Sequence, residues 1–376
     1  MFKNAFRLPF RLLGIPLYLD VTFLIILPLF AWIIAGQIPA FVELLNLPVA
    51  TEALTVGAVP YLLGLAAALG LFVSVVIHEL GHAVTARRYN VETERITLWL
   101  LGGVAQLTDM PRQRGAEAVV GIAGPITSFA LALLGWGLLQ LIPPGWAAAY
   151  FVVAYVTYMN VALAVFNMLP ALPLDGGRVL RSLLALRMDR LQATRVAARI
   201  SRVLAVALGL FGLLSFNIFL MFIAFFIYVA VAAETQHTIM GQIFEGVQVE
   251  ELMTQRVAWV SPEMSCGELK DKMFREGHLG YPVLADTGQL IGMITLNELR
   301  LAPPRAPVGA VMTRDFATIA RTAKVFDAFE LMTRNNFGRL IVVDEQTRVV
   351  GILTKTDLMR AVQVGIVGQR LNEQAV

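Results

Sequence analysis

Long apolar runs separated by short charged clusters fill the chain up to Ala233, and the pattern changes after Glu234. A helix needs about 20 apolar residues to cross a bilayer. Six stretches qualify, at about 15–36, 59–86, 118–142, 148–169, 193–213 and 216–233. The third and fourth come from one uncharged run, Ala118 to Leu174, which Pro143-Pro144-Gly145 interrupts. The last two come from another, Val203 to Ala233, with Ser215-Phe216-Asn217 as the turn; one long tilted helix is the alternative there. Glu92 to Leu107 alternates and reads as a short strand with a glycine bend, too short to cross. Non-helical backbone at membrane depth survives only against protein or a wet cavity, so this piece is expected to line a site. Arg178 to Arg202 holds seven arginines and one acid, Asp189, with Val179, Leu180, Leu183, Leu184 and Leu191 at helical spacing. That pattern predicts a basic amphipathic helix lying on the inner leaflet.

Beyond Glu234 the periodicity is that of an α/β module, and it repeats at a constant offset of 59 residues. Val249-Glu250-Glu251-Leu252-Met253-Thr254 matches Val308-Gly309-Ala310-Val311-Met312-Thr313, and Gly292–Leu299 matches Gly351–Leu358. Each copy reads as strand, helix, strand, strand, helix. A single copy is small for an independent core, so the two are expected to pack together.

Composition separates the same two parts. The mean hydropathy of +0.69 belongs to a membrane protein. Up to Met240 there are 15 Lys and Arg against 11 Asp and Glu; after it, 15 against 16. The positive excess thus lies in the apolar half and points to anionic lipid, not nucleic acid. Arg7 and Arg11, Arg87 and Arg88, Arg112 and Arg114, and the 178–202 cluster fall at alternate span ends. The loops around 44–53 and 143–146 contain no Lys or Arg. The positive-inside rule then puts both termini and the repeat in the cytoplasm. The single cysteine, Cys266, excludes an internal disulfide and fits a reducing compartment. The basic N-terminus with its apolar run mimics a secretory signal. The run is too long and lacks a small-residue cleavage site, so a retained first span is expected.

The candidate chemistry sits in the second span, which has no charge from Gly57 to Ile77 and then reads His78-Glu79-Leu80-Gly81-His82. Two histidines four apart share a helix face and can hold one Zn²⁺, leaving Glu79 to act on water. Two imidazoles and a carboxylate buried there without a metal would cost several kcal/mol, about the penalty for unpaired polar groups. A catalytic zinc takes three protein ligands. Asp175 is the favoured third, directly after the fourth span. Pro170 and Pro173 stop that helix, while Gly176 and Gly177 permit a reversal toward the second span. Its other reading is an N-cap of the arginine-rich helix. His237 and His278 lie in the second half and are expected to face solvent.

With these segments the first 240 residues resemble the site-two protease family of intramembrane zinc metalloproteases. The resemblance also covers Asn167-Met168-Leu169-Pro170, Leu101-Gly102-Gly103-Val104 and Gly121 to Ser128. It implies zinc on His78, His82 and Asp175, with Glu79 as general base. It also implies Asn167 holding substrate backbone and a re-entrant strand at Gly102 and Gly103 against which an unwound transmembrane substrate pairs. The repeat looks like a tandem of CBS domains, which implies ATP, ADP or AMP at Thr354 and Asp357 and at Thr295 and Glu298. Glu298 stands where an aspartate is expected, so the second site is the stronger. The expected architecture is an α-helical membrane domain over 1–240 with a short re-entrant β segment. An α/β tandem CBS pair follows, 246–303 and 304–376, through which a homodimer can form. A CBS-regulated transporter or channel is the alternative.

Overall fold

The computed structural model describes residues 5–99, 102–107 and 113–374. Lys3, Leu101 and Arg112 lie outside the described residues, as does the side chain of His237. The chain divides into two compact units, Met1–Gln236 and His237–Val376.

The first unit opens with strands β1 (Ala5–Leu12) and β2 (Ile15–Asp20), an antiparallel hairpin turned at Leu13 and Gly14, both at positive φ. Helix α1 (Val21–Leu44) follows at once, its N-cap Asp20 accepting from the Thr22 N–H at 3.0 Å. The span expected at about 15–36 is thus corrected. Residues 15–20 are strand because Gly14 turns the chain back and Asp20 caps a helix that begins one residue later. Gln37 and Pro39 are carried inside that helix and do not end it.

A short α2 (Thr51–Leu54) leads to α3 (Val59–Arg87), the helix of the histidine pair. After it come β3 (Thr93–Trp99) and β4 (Gly102–Leu107). The expected single strand with a glycine bend is therefore two strands, joined to the N-terminal hairpin in one sheet ordered β1-β2-β3-β4. Only the β2–β3 pairing is parallel. Ile15, Leu17, Ile96 and Leu98 of the sheet pack on Phe23 and Ile26 of α1 and on Phe72, Val75, Val76 and Ala83 of α3. That shared core holds edge strand β4 beside the helix of the histidine pair.

The remaining helices are α4 (Ala116–Leu139), α5 (Ala147–Asn167), α6 (Asp175–Leu184), α7 (Arg190–Leu214) and α8 (Ile218–Ile243). By length and apolarity, α1, α3, α4, α5, α7 and α8 can each cross a membrane. The turn between α7 and α8 is at Ser215–Asn217, with Phe216 at φ 50°. The single basic helix expected over 178–202 is corrected to two, α6 and the first half of α7. Asp189 caps the second through the Leu191 and Gln192 N–H groups. Arg181 does not lie on a leaflet but is buried on Glu117. Gly176 and Gly177 do not make the reversal either, since both sit inside the first turn of α6. Residues 168–174 make it, pinned by Leu172 N–H on Ser201 Oγ at 2.8 Å and by Ala171 and Leu172 among Ala197, Ala198, Ala205 and Val231.

The second unit contains α9 (Val249–Leu252), α10 (Cys266–Glu276), β5 (Gly280–Leu284), β6 (Leu290–Thr295), α11 (Leu296–Leu299), α12 (Val308–Val311), β7 (Thr318–Ala320), α13 (Val325–Asn335), β8 (Arg339–Val343), β9 (Val349–Thr354) and α14 (Lys355–Gln374). In the first copy an isolated parallel bridge, Val260 with Val283, stands where β7 pairs in the second. The copies exchange their leading segments: Thr254 pairs with Ile352 of the second copy and Thr313 with Met293 of the first. Each small core is therefore completed by its twin.

Candidate metal centre

α3 presents His78 and His82 on one face, and the pinned 168–174 turn delivers Asp175 at the first position of α6. All three side chains are buried. Asp175 Oδ2 lies 3.2 Å from His78 Nε2 and 3.2 Å from His82 Nε2, and the two Nε2 atoms are 3.3 Å apart. The opposite ring nitrogens are fixed by α4. His82 Nδ1 donates to the Val120 carbonyl at 2.7 Å, and His78 Nδ1 meets Ser128 Oγ at 2.8 Å. Since a carbonyl only accepts, the neutral His82 ring carries its proton on Nδ1 and turns an Nε2 lone pair inward. Asp175 is buried with them, and the charge of Arg178 nearby favours its ionised form.

A lone pair and a carboxylate oxygen thus face each other at hydrogen-bond distance, an arrangement that calls for a cation. Donors about 2.0–2.1 Å from a tetrahedral zinc stand about 3.3 Å apart. The observed 3.2, 3.2 and 3.3 Å fit that ion without rearrangement. α4 leaves the space: a Cβ on Gly124 would run into both Nε2 atoms. Among the described residues this is the one His, Cys, Asp or Glu group whose ligand atoms converge in this way.

Glu79 follows His78 on α3, and its Oε2 accepts the Ala105 N–H of β4 at 3.0 Å. β4 passes close because Gly103 has no side chain; a Cβ there would sit 2.8 Å from Val75 Cγ1 and 2.9 Å from Glu79 Cγ. Gly102, at φ 126°, opens the strand. Asn167 is the last residue of α5, and its amide donates to the Leu163 carbonyl at 3.1 Å, inside its own helix.

Comparison with known proteins fits this geometry. The profile of Peptidase family M50 matches residues 66–149 and 140–211. The zinc metalloprotease MJ0392 of Methanocaldococcus jannaschii is 32% identical over 356 residues, covering 94% of this chain and 95% of that protein. The chain belongs to peptidase family M50. It is a zinc-dependent metalloprotease, and with six apolar helices it is a multi-pass membrane protein. This decides against a transporter or channel. The solved Site-2 Protease from Methanocaldococcus jannaschii is also similar, at 34% identity over 61% of this chain and 95% of that one, with a TM-score of 0.44.

In this M50 protease the repeat is matched by the CBS domain profile, at residues 249–304 and 308–364. A solved structure of CBSX2 in complex with AMP is 26% identical over 31% of this chain and 97% of that one, with a TM-score of 0.29. Both candidate nucleotide pairs form helix-capping boxes. Thr354 N–H and Oγ1 donate to Asp357 Oδ2 at 2.9 and 2.6 Å. Thr295 N–H donates to Glu298 Oε2 at 2.8 Å, and its hydroxyl to the same oxygen. Sequence reasoning missed the carbonyl of Val120, the Ala105 N–H and the buried Arg181–Glu117 pair. The first two are backbone groups without a residue signature. Glu117 and Arg181 are 64 residues apart with nothing in the sequence to link them.

Proposed function

We propose that His78, His82 and Asp175 hold the zinc of this protease and that Glu79 is its general base. The observation that carries this is the convergence of Nε2, Nε2 and Oδ2 on one point, beside a glutamate, within a helix apolar enough for a membrane. Zinc, when bound, supplies Lewis acidity toward water and toward a scissile carbonyl. Glu79 takes a proton from the attacking water and delivers it to the leaving amine. The Ala105 N–H holds its carboxylate in place for that task.

The substrate we propose is a transmembrane segment of another protein. Its peptide carbonyls are tied up in i to i+4 bonds, so cleavage needs local unwinding. Edge strand β4, at Gly102 and Gly103, offers strand pairing that offsets the lost helical bonds. Asn167 is assigned to substrate backbone, through Oδ1 and the amide hydrogen that the Leu163 carbonyl does not take. Membrane proteomes compared between the native chain and Glu79→Gln test the reading. One cleavage product lost with the variant supports it, and identical proteomes reject it.

For orientation we propose that both termini and the second unit face the cytoplasm, with the exposed Arg187, Arg195, Arg199 and Arg202 on anionic lipid. Cys266 is buried and cannot report this with a thiol reagent. Cysteines placed at Gly145 and at exposed Thr287, in a Cys266→Ser background, can: only the first should label from outside. We further propose that the CBS pair binds adenine nucleotide at Thr354 and Asp357, less well at Thr295 and Glu298, and thereby modulates proteolysis. Exposed Phe274, Leu279 and Leu301 on the first copy suit a homodimer through the pair.

A further inference from the structure

Arg181 and Glu117 touch none of the three donors, yet they join the two helices that set them. Arg181 lies six residues after Asp175 on α6 and is 1% exposed, a burial that an arginine tolerates only when paired. Its Nε donates to Glu117 Oε1 at 3.0 Å, its Nη2 donates to the same oxygen, and its Nη1 reaches Glu234 Oε1 on α8 at 3.4 Å. The next residue acts on the same helix end: Ser182 Oγ accepts the Ala118 N–H at 3.1 Å. That N–H also donates to the Gly115 carbonyl at 3.1 Å, so Ser182 adds a side-chain acceptor to the first turn of α4, whose N-cap, Gly115, has no side chain to offer. α6 thus supplies both the cap and the counter-charge for the start of α4.

α4 is the helix that orients the histidines, through the Val120 carbonyl and Ser128 Oγ. α6 is the helix that carries Asp175. The donor separations therefore depend on how these two helices are registered. A buried ion pair rarely adds net stability over well-packed apolar side chains, and its best-attested use is to specify register. We propose that the Arg181–Glu117 pair, with Ser182 on Ala118, sets that register, making Arg181 a positioning residue for the metal site. The inference rests on Asp175 being a ligand. Glu117 also lies at the positive end of the α4 dipole and Arg181 in the last turn of α6, so each charge is placed where its helix favours it.

The test uses the full chain in detergent, with zinc affinity measured by chelator competition and site geometry by the visible spectrum of the cobalt-substituted protein. Arg181→Met keeps the length and packing, and Arg181→Lys keeps the charge but loses the fork. Both should run as folded protein on size exclusion, bind zinc about 10- to 100-fold more weakly, the usual effect of losing an outer support of a metal site, and shift the cobalt bands. Arg181→Lys should be the milder. Native affinity and native cobalt bands in a folded Arg181→Lys or Arg181→Met would overturn the positioning role. If Arg181→Met does not fold, Arg181→Lys decides alone on the same criterion. Asp175→Ala run in parallel separates the two claims. Zinc lost there but kept in the Arg181 variants rejects only the positioning role. Zinc kept at native affinity in Asp175→Ala rejects the ligand assignment and the inference with it.

Discussion

Glu79 on α3 and Ala105 on β4 are joined by a 3.0 Å hydrogen bond from the Ala105 N–H to the Glu79 carboxylate. β4 is an edge strand, so this N–H is spent on α3 and not on a strand ladder. The contact ties the proposed base to the strand proposed to receive substrate. Any chain that pairs with β4 does so next to that carboxylate.

Glu79→Gln should fold normally and keep its zinc, because a glutamine oxygen still accepts the Ala105 N–H and the residue is not one of the three donors. Proteolysis should fall about 100- to 10,000-fold, the range for removing a general base. Metal analysis and a cleavage assay on reconstituted protein check this. Loss of zinc together with activity would make Glu79 a ligand.

Gly124→Ala should empty the metal site without unfolding the protein. Alanine at an ordinary helix position is favoured over glycine by about 0.5–1 kcal/mol. At Gly124 the added methyl lands on His82 Nε2 and His78 Nε2. Zinc content after gel filtration should drop while the helical signal in circular dichroism stays. Unchanged zinc content would show that α4 can withdraw from the histidines.

The part of this site that was legible in the sequence is the part carried by side chains of special chemistry. The histidine pair announces itself by a four-residue spacing, and Asp175 by the prolines before it, whereas the glycines expected to turn the chain lie inside α6. What orients them was not legible. The Val120 carbonyl could belong to any residue, and Ser128 is set against His78 only by the crossing of α3 and α4. The strand nature of residues 5–20 was hidden for a related reason. Apolar residues that cover a helix inside a sheet look the same as residues that face lipid. Gly14 and Asp20 were the available signals, a turn and a cap one element apart. In the second unit the 59-residue repeat exposed the fold directly, since both copies keep the strand and cap residues in step.

Stability of the second unit should fall on the alkaline side through one phenol. Burial, reinforced by a 2.9 Å hydrogen bond to Glu276, pushes Tyr281 up to about 12. A folded pKa above the unfolded value of about 10 means a contribution that is complete below about pH 10 and lost as pH rises through about 12. Glu276 has the opposite sign. Hydrogen bonds from Lys272 and Tyr281 hold its carboxylate below its ordinary value of about 4.3, so its contribution is lost on acidification. Denaturant midpoints of the second unit across this range should decline at high pH in the native chain and stay flatter in Tyr281→Phe. Equal alkaline slopes in the two proteins would remove Tyr281 as the source.

Nucleotide binding should depend on Asp357 more than on Glu298. Asp357 Oδ2 accepts both the N–H and the hydroxyl of Thr354, which leaves Oδ1 outside the capping box and available to ribose hydroxyls. In the first copy the longer Glu298 folds back on Thr295 in the same way. Across from it, a Cβ at Gly280 would meet the guanidinium of Arg339, the residue at the matching position of the second copy. Hydrogen bonds to a charged group contribute about 1.5–3 kcal/mol, so losing the carboxylate should weaken binding about ten- to a hundredfold. Asp357→Ala also removes the reciprocal half of the capping box, which lowers stability on its own. Asp357→Asn separates the two effects, since an amide oxygen still caps while the charge is gone. Both variants should bind AMP, ADP or ATP weakly by calorimetry and lose any preference for ribose over deoxyribose, whereas Glu298→Ala should stay near native. Proteolysis in these variants should then respond to nucleotide only at correspondingly higher concentration. No heat of binding at millimolar concentration in the native protein would remove the sensing role and leave the protease standing.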